Sequence, residues 1–204
     1  MKEIWDNRHR KSIGRYNRIT EFANFCFLNY LKGKQGKLLD LACGKGADSV
    51  FLHENGFTVT AIDYSSEAIN QFNYIQRKKG VFITSLVRDI QEKLPFETDS
   101  FDYVFSRIGL GYFDDKTTKK IFSEIKRVLK SEGLLMFQVK SVNDRVYGSG
   151  KELEKDVYEL SGYIRHFFSE DYARKLLKDF NIIYLEEKKL DNGNAYLDVI
   201  AEKK

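Results

Sequence analysis

The residues whose types and spacing best suit chemistry lie at positions 36–48, which read Gly-Lys-Leu-Leu-Asp-Leu-Ala-Cys-Gly-Lys-Gly-Ala-Asp. Residues 38–41 have the length of a buried strand, broken in polarity only by Asp40. The small residues Ala42, Gly44 and Gly46 follow, and then a helical pattern opens with Val50, Phe51 and Leu52. A strand that passes through such a turn into a helix brings bare backbone up to a ligand, because glycine has no side chain to obstruct it. A phosphate-binding P-loop needs Ser or Thr after Gly-Lys, and here Lys45 is followed by Gly46. A dinucleotide fingerprint wants Gly or Ala where Ser49 stands. Cys43 in the turn reads as a small packed side chain rather than a nucleophile.

The elements that must position this turn follow from hydrophobic periodicity. A helix is predicted over residues 15–32, on Ile19, Phe22, Ala23, Cys26, Phe27, Tyr30 and Leu31, and it stops at Gly33 and Gly36. The polar segment Trp5-Asp6-Asn7-Arg8 before it is a flexible arm or a flap. After the turn come a helix over 47–54, a strand over 57–62 ending in Asp63, and a helix N-capped by Ser65. A third strand covers 81–87 and leads into Arg88-Asp89-Ile90. A fourth ends at Ser106, a helix opens at Asp114-Asp115 and stops at Gly133, and a fifth strand covers 134–140. Strands alternating with helices at this spacing predict a doubly wound α/β sheet with parallel pairing. Residues 141–162 break the rhythm, polar and long for a connection, and read as a lid-like insertion. Then come a strand over 163–168, a helix capped by Ser169, and two strands joined by Asp191-Asn192-Gly193-Asn194, a hairpin turn that makes the last pairing antiparallel.

A chain of 204 residues with 42% hydrophobic and 14% aromatic residues suits one domain, here residues 1–204 with residues 1–35 as an N-terminal flap and helix. A net charge of +4 spread along the chain does not argue for nucleic-acid binding. Two cysteines and three scattered histidines supply neither a disulfide framework nor a metal cluster. The charged amino terminus lacks a signal-peptide core and no run reaches the length of a membrane span, so the expectation is a cytoplasmic protein.

The segment Leu39-Asp40-Leu41-Ala42-Cys43-Gly44-Lys45-Gly46 resembles the first motif of class I S-adenosylmethionine (SAM)-dependent methyltransferases. The later parts arrive in the family's order, with the likeness good over 37–140 and loose beyond. The resemblance implies a Rossmann-like fold and SAM as cofactor. It implies Asp63 on the two ribose hydroxyls, Asp89 on the adenine amino group with the Ile90 N–H on a ring nitrogen, and Ser106 beside the cofactor. Leu94-Pro95-Phe96 followed by Ser100-Phe101-Asp102-Tyr103-Val104 matches a stretch typical of these enzymes. Ala42, Gly44 and Gly46 would form the cofactor turn, with Asp40 holding its N–H groups. Tyr64 packs on the adenine or on the neighbouring helix. Trp5 and Arg8, in a Trp-x-x-Arg arrangement like the flap of some relatives, would cover the methionine end.

Two departures from the family pattern stand out, the first a tolerated variation in the cofactor turn and the second on the acceptor side. Ala42 replaces a frequent glycine, and Gly111 stands where relatives often carry histidine. The absence of an Asn/Asp-Pro-Pro-Tyr/Phe tetrapeptide after the fourth strand disfavours amino groups of bases or glutamine as acceptors. Candidates at the cleft mouth are Arg107, Tyr112, Tyr163, Arg165 and His166, with Arg165 and His166 as the expected acceptor-side catalytic pair. General resemblance points to the small tellurite-resistance-like, small-molecule branch. The expected activity is therefore methyl transfer to a small molecule. An RNA methyltransferase and a non-enzymatic SAM-binding regulator are the alternatives, and the glycine spacing disfavours a nicotinamide oxidoreductase.

Overall fold

The computed structural model of the protein describes residues 2–12 and 18–204, so the first residues of the helix expected from position 15 lie outside it. The segment read as an arm or flap is α1 (Lys2–Arg10). The next helix is α2 (Glu21–Cys26), capped by Thr20 and continued by a π-helical turn, Phe27–Leu31. The alternating core comprises β1 (Gly36–Leu41), α3 (Ala47–Glu54), β2 (Phe57–Asp63), α4 (Ser66–Lys79), β3 (Thr84–Val87), β4 (Phe101–Arg107), α5 (Asp115–Val128) and β5 (Leu129–Lys140). There follow β6 (Lys151–Glu154), β7 (Val157–Leu160), β8 (Tyr163–His166), α6 (Glu170–Leu176), β9 (Phe180–Lys189) and β10 (Ala195–Lys203).

Seven strands form one sheet in the order β3-β2-β1-β4-β5-β10-β9. Strands β1 to β5 pair in parallel, and β10 runs antiparallel to both β5 and β9. The expected terminal hairpin is therefore present, with its second strand inserted between β5 and β9. The sheet is covered on both faces, by α5 and α6 on one side and by α2, α3 and α4 on the other. Its central strands are correspondingly buried over most of their length, as β1 and β4 show. Parallel pairing puts the carboxyl ends of β1, β2, β3, β4 and β5 along one edge, the position where open α/β sheets bind ligands.

Two elements differ from the sequence reading. The helix expected to run to Gly133 ends at Val128, because Leu129 already has extended backbone and pairs with Phe101. Residues 141–162, expected as a lid-like insertion, carry regular structure. They supply β6 and β7, which pair with β8 in a separate three-stranded antiparallel sheet.

Candidate active site

The turn after β1 is built on left-handed backbone at Ala42 (φ 59°), Gly44 (57°) and Gly46 (75°). It is tied to β2 by the Cys43 N–H donating to the Ile62 carbonyl at 3.0 Å. Asp63, at the end of β2, accepts from the Gly44 N–H with one carboxylate oxygen and from the Ser65 N–H with the other, both at 2.8 Å. Burial pushes the Asp63 carboxyl up, while those two N–H groups and the nearby His9 pull it back. A carboxylate offers about four acceptor positions, so two backbone donors leave capacity for a ligand's hydroxyl groups.

Below the turn, Asp40 is fully buried and accepts from the Ser49 hydroxyl of α3. Burial holds its carboxyl well above the usual range. Asp48, in the first turn of α3, accepts from both the N–H (2.8 Å) and the hydroxyl (2.9 Å) of Thr20, and so fixes the start of α2 against the glycine turn. Burial raises the Asp48 carboxyl, and Arg107 opposes that shift.

These groups open into a cavity of about 930 Å³. Its floor is the glycine turn and the strand ends, and α1 lies along its rim. Asp6 of α1 accepts from the Ser65 hydroxyl at 2.6 Å and from the Glu67 N–H at 3.1 Å, at the amino terminus of α4. Gln71 donates to the His9 carbonyl at 3.0 Å, and Lys45 of the glycine turn donates to the Ser12 carbonyl. Trp5 is wedged edge-on between Tyr112 (4.8 Å) and Tyr163 (5.2 Å), with the Arg8 guanidinium 5.3 Å from its ring centre. The polar segment is thus a strap that crosses from α4 to the small sheet.

Most of the residues singled out in the sequence meet here. Asp40, Ala42, Gly44, Asp63, Tyr64, Asp89, Ile90, Trp5, Arg8, Arg107, Tyr112 and Arg165 line the cavity. Asp89 also accepts from the Gln91 N–H at 2.9 Å, so it serves as a turn residue too.

Four residues expected at the site do not line the cavity, and one of them, Tyr163, packs on Trp5 instead. Gly46 faces the ring of Phe72, which a β-carbon there would meet at 2.3 Å, so this glycine exists for packing. Ser106 is wholly buried and donates to the Leu41 carbonyl at 2.9 Å; strand alternation turns its neighbours Phe105 and Arg107 to the cavity instead. His166 is 2% exposed and packs on Phe168 (4.8 Å) and Tyr172 (4.7 Å), with the Thr118 hydroxyl 3.3 Å from Nδ1, while Arg165 beside it faces the cavity. The expected pair is therefore one cavity residue and one core residue.

Sequence reasoning missed His9, Arg18, Lys45, Asp48, Lys140, Asn194 and Tyr196 on the cavity wall. Asp48 had a local signal, an acid in the first turn after the glycines. Asn194 and Tyr196 arrive from the turn into β10, through a long-range pairing that no local pattern encodes.

The buried His166 makes a prediction of its own. Burial lowers its pKa below the ordinary value of 6.5, and Asp115, Glu154 and Asp156 oppose that shift only in part. The unfolded chain therefore takes the proton first as pH falls below about 6.5, and stability is lost across that window. His166→Gln is expected to cost roughly 1–2 kcal/mol at neutral pH. It should also shrink the drop in thermal midpoint between pH 7.5 and 5.5 relative to wild type. Cofactor affinity, measured alongside, should stay within about twofold, because the ring does not reach the cavity.

A profile described as a methyltransferase domain matches residues 38–133. YqeM of Bacillus subtilis (strain 168), named as a methyltransferase, is 37% identical over 111 residues, covering 53% of this chain and 44% of that protein. The chain thus spans less than half the length of that relative. A crystal structure described as a SAM-dependent methyltransferase from Methanosarcina mazei superposes with a TM-score of 0.78 at 26% identity, over 92% of this chain and 99% of that one. The Burkholderia thailandensis 1,6-didemethyltoxoflavin-N1-methyltransferase, crystallised with 1,6-didemethyltoxoflavin and S-adenosylhomocysteine (SAH), shares the fold at TM-score 0.79 and 17% identity, over 99% and 85% of the two chains. With its strand–glycine turn–helix unit and its strand order in agreement with these likenesses, the chain is similar to a methyltransferase domain over residues 38–133 and has the fold of SAM-dependent methyltransferases.

Proposed function

We propose that the protein binds SAM in this cavity and transfers its methyl group to a small-molecule acceptor. The observation that carries the reading is a single cavity with two chemically distinct ends. At one end the glycine turn, Asp63 and Asp89 supply bare backbone and carboxylates. At the other, Arg107, Tyr112, Lys140, Arg165 and Tyr196 supply cations and aromatic rings. Its volume lies near the top of the usual range for ligand pockets, roughly 300–1,000 Å³, which leaves room for a second small molecule beside a cofactor.

The residues present fit SAM. Asp63 keeps acceptor capacity for the ribose hydroxyls, Gly44 brings backbone to the cavity with the His9 ring beside it, Asp89 and Ile90 would flank the adenine, and Arg8 with Trp5 would border the methionine end. When bound, SAM supplies an electrophilic methyl group on a sulfonium. The chain's task is to hold the acceptor in line with that group and to exclude water. The strap and the small sheet favour a small acceptor over a folded RNA, because both stand at the mouth through which it would enter. The Burkholderia enzyme of the same fold, crystallised with a small acceptor, is consistent with this reading.

The test is transfer of tritiated methyl from SAM into separate small-molecule, RNA and protein pools. Label is expected in the small-molecule pool. Label confined to RNA or protein, or absent from all three while SAM is bound, would overturn the proposal in favour of one of the alternatives.

A further inference from the structure

We infer that the acceptor end of the cavity is built for a carboxylate, held by Arg165, so that the small-molecule substrate is a monocarboxylic acid. This deepens the proposed function and rests on it for the word substrate, but not for the anion site itself.

The inference comes from which charges at that end are already balanced. Lys140, at the end of β5, is paired with Asp144 and also lies 5.2 Å from the Tyr196 ring centre. Arg107, at the end of β4, lines the main cavity but not the recess beside Arg165. Arg165 differs. It projects from β8 into the cavity, and its Nε is buried with no hydrogen-bond partner. No carboxylate forms a salt bridge with it among the described residues. It also borders a side recess with Ile108, Tyr112 and Lys140, away from the acid-lined glycine turn.

A buried guanidinium nitrogen without an acceptor is a costly arrangement, and such a group is normally satisfied by a bound partner. The planar guanidinium matches a carboxylate through two parallel hydrogen bonds. In the recess that Arg165 borders the other lysine or arginine, Lys140, is engaged by Asp144, which favours a single negative charge over a phosphate dianion. Tyr112, which borders the recess with Arg165, and Tyr196, elsewhere on the cavity wall, supply flat apolar surface for the body of the acid. For the cofactor's own carboxylate, Arg8 and Arg18 also line the cavity.

The experiment uses matched pairs that differ in charge and hardly in shape, benzoate with benzamide and butyrate with butyramide. Each is titrated calorimetrically into the full chain, both alone and saturated with SAH, and inorganic phosphate is titrated in parallel. At least one acid is expected to bind about tenfold or more tightly than its amide, in keeping with a charge-assisted bidentate contact. Arg165→Gln should bring that acid down to the level of its amide while leaving SAH affinity and the thermal midpoint unchanged. Arg165→Lys should restore only part of the difference, since the charge returns without the fork.

Several results would overturn the inference. Acids no tighter than amides, or unaffected in Arg165→Gln, would remove the site. Phosphate bound more tightly than either acid would replace the class of ligand. A several-fold loss of SAH affinity in Arg165→Gln would assign the guanidinium to the cofactor instead. If acids bind through Arg165 while SAH does not bind at all, the anion site stands and the proposed function falls.

Discussion

Gly46→Ala is expected to destabilise the protein by roughly 2–5 kcal/mol, a large part of the about 5–15 kcal/mol that holds a typical domain together. Two costs add at this position. Gly46 caps α3 in left-handed backbone at φ 75°, where a β-carbon costs about 1–2 kcal/mol. That β-carbon would also lie 2.3 Å from the Phe72 ring, which is fully buried. Overpacking of this kind costs about 1–3 kcal/mol or more. Gly80, the left-handed C-cap of α4, is the internal control. Its φ is 69°, and a β-carbon there meets nothing within 4 Å, so Gly80→Ala should carry the conformational cost alone. Urea unfolding of both variants checks the comparison. A Gly46→Ala midpoint equal to that of Gly80→Ala would show that the contact with Phe72 yields freely and that the turn is not held by packing.

The second large effect is on ligand binding. Asp63→Ala is expected to weaken SAM and SAH binding about ten- to a hundredfold, the loss of roughly 1.5–3 kcal/mol from a charged hydrogen-bond acceptor. The structure adds a consequence. Because Asp63 also accepts from the Gly44 and Ser65 N–H groups, the alanine variant leaves two backbone donors unpaired, and it should lose stability as well as affinity. Asp63→Asn separates the two. It keeps a side-chain oxygen for one backbone donor while losing the charge, so binding should suffer more than stability. Calorimetry and thermal unfolding on the same samples distinguish these effects. Affinity within about twofold of wild type in a folded Asp63→Asn protein would remove the ribose assignment.

Local patterns made the framework legible. The run from residue 36 to residue 48 placed the strand, the turn and the start of α3, because apolar strand, small residues and helical periodicity lie next to one another in sequence. Asp63 and Asp89 were legible for the same reason, each standing where an apolar strand gives way to polar residues. The sequence could not show which side of a strand faces the cavity. Arg165 and His166 are neighbours on β8, and alternation sends one to the cavity and the other against Phe168 and Tyr172. Ser106 and Arg107 divide in the same way on β4. The contribution of Asn194 and Tyr196 depends on β10 entering between β5 and β9, a placement set by the whole sheet. Trp5 and Arg8 were read as part of a flap, and α1 is the helix that carries them. What fastens it, Asp6 on the amino terminus of α4, joins residues about sixty positions apart and leaves no local trace.

The central claim is that this cavity is a SAM site rather than a nicotinamide site or a structural void. Calorimetric titration of SAH into the wild-type chain, with NADH titrated under the same conditions, tests it most directly. The account predicts saturable binding of one SAH per chain, and NADH binding weaker by at least about a hundredfold, a difference of roughly 2.7 kcal/mol. NADH bound as tightly as SAH, or no saturable SAH binding to a folded protein, would contradict it.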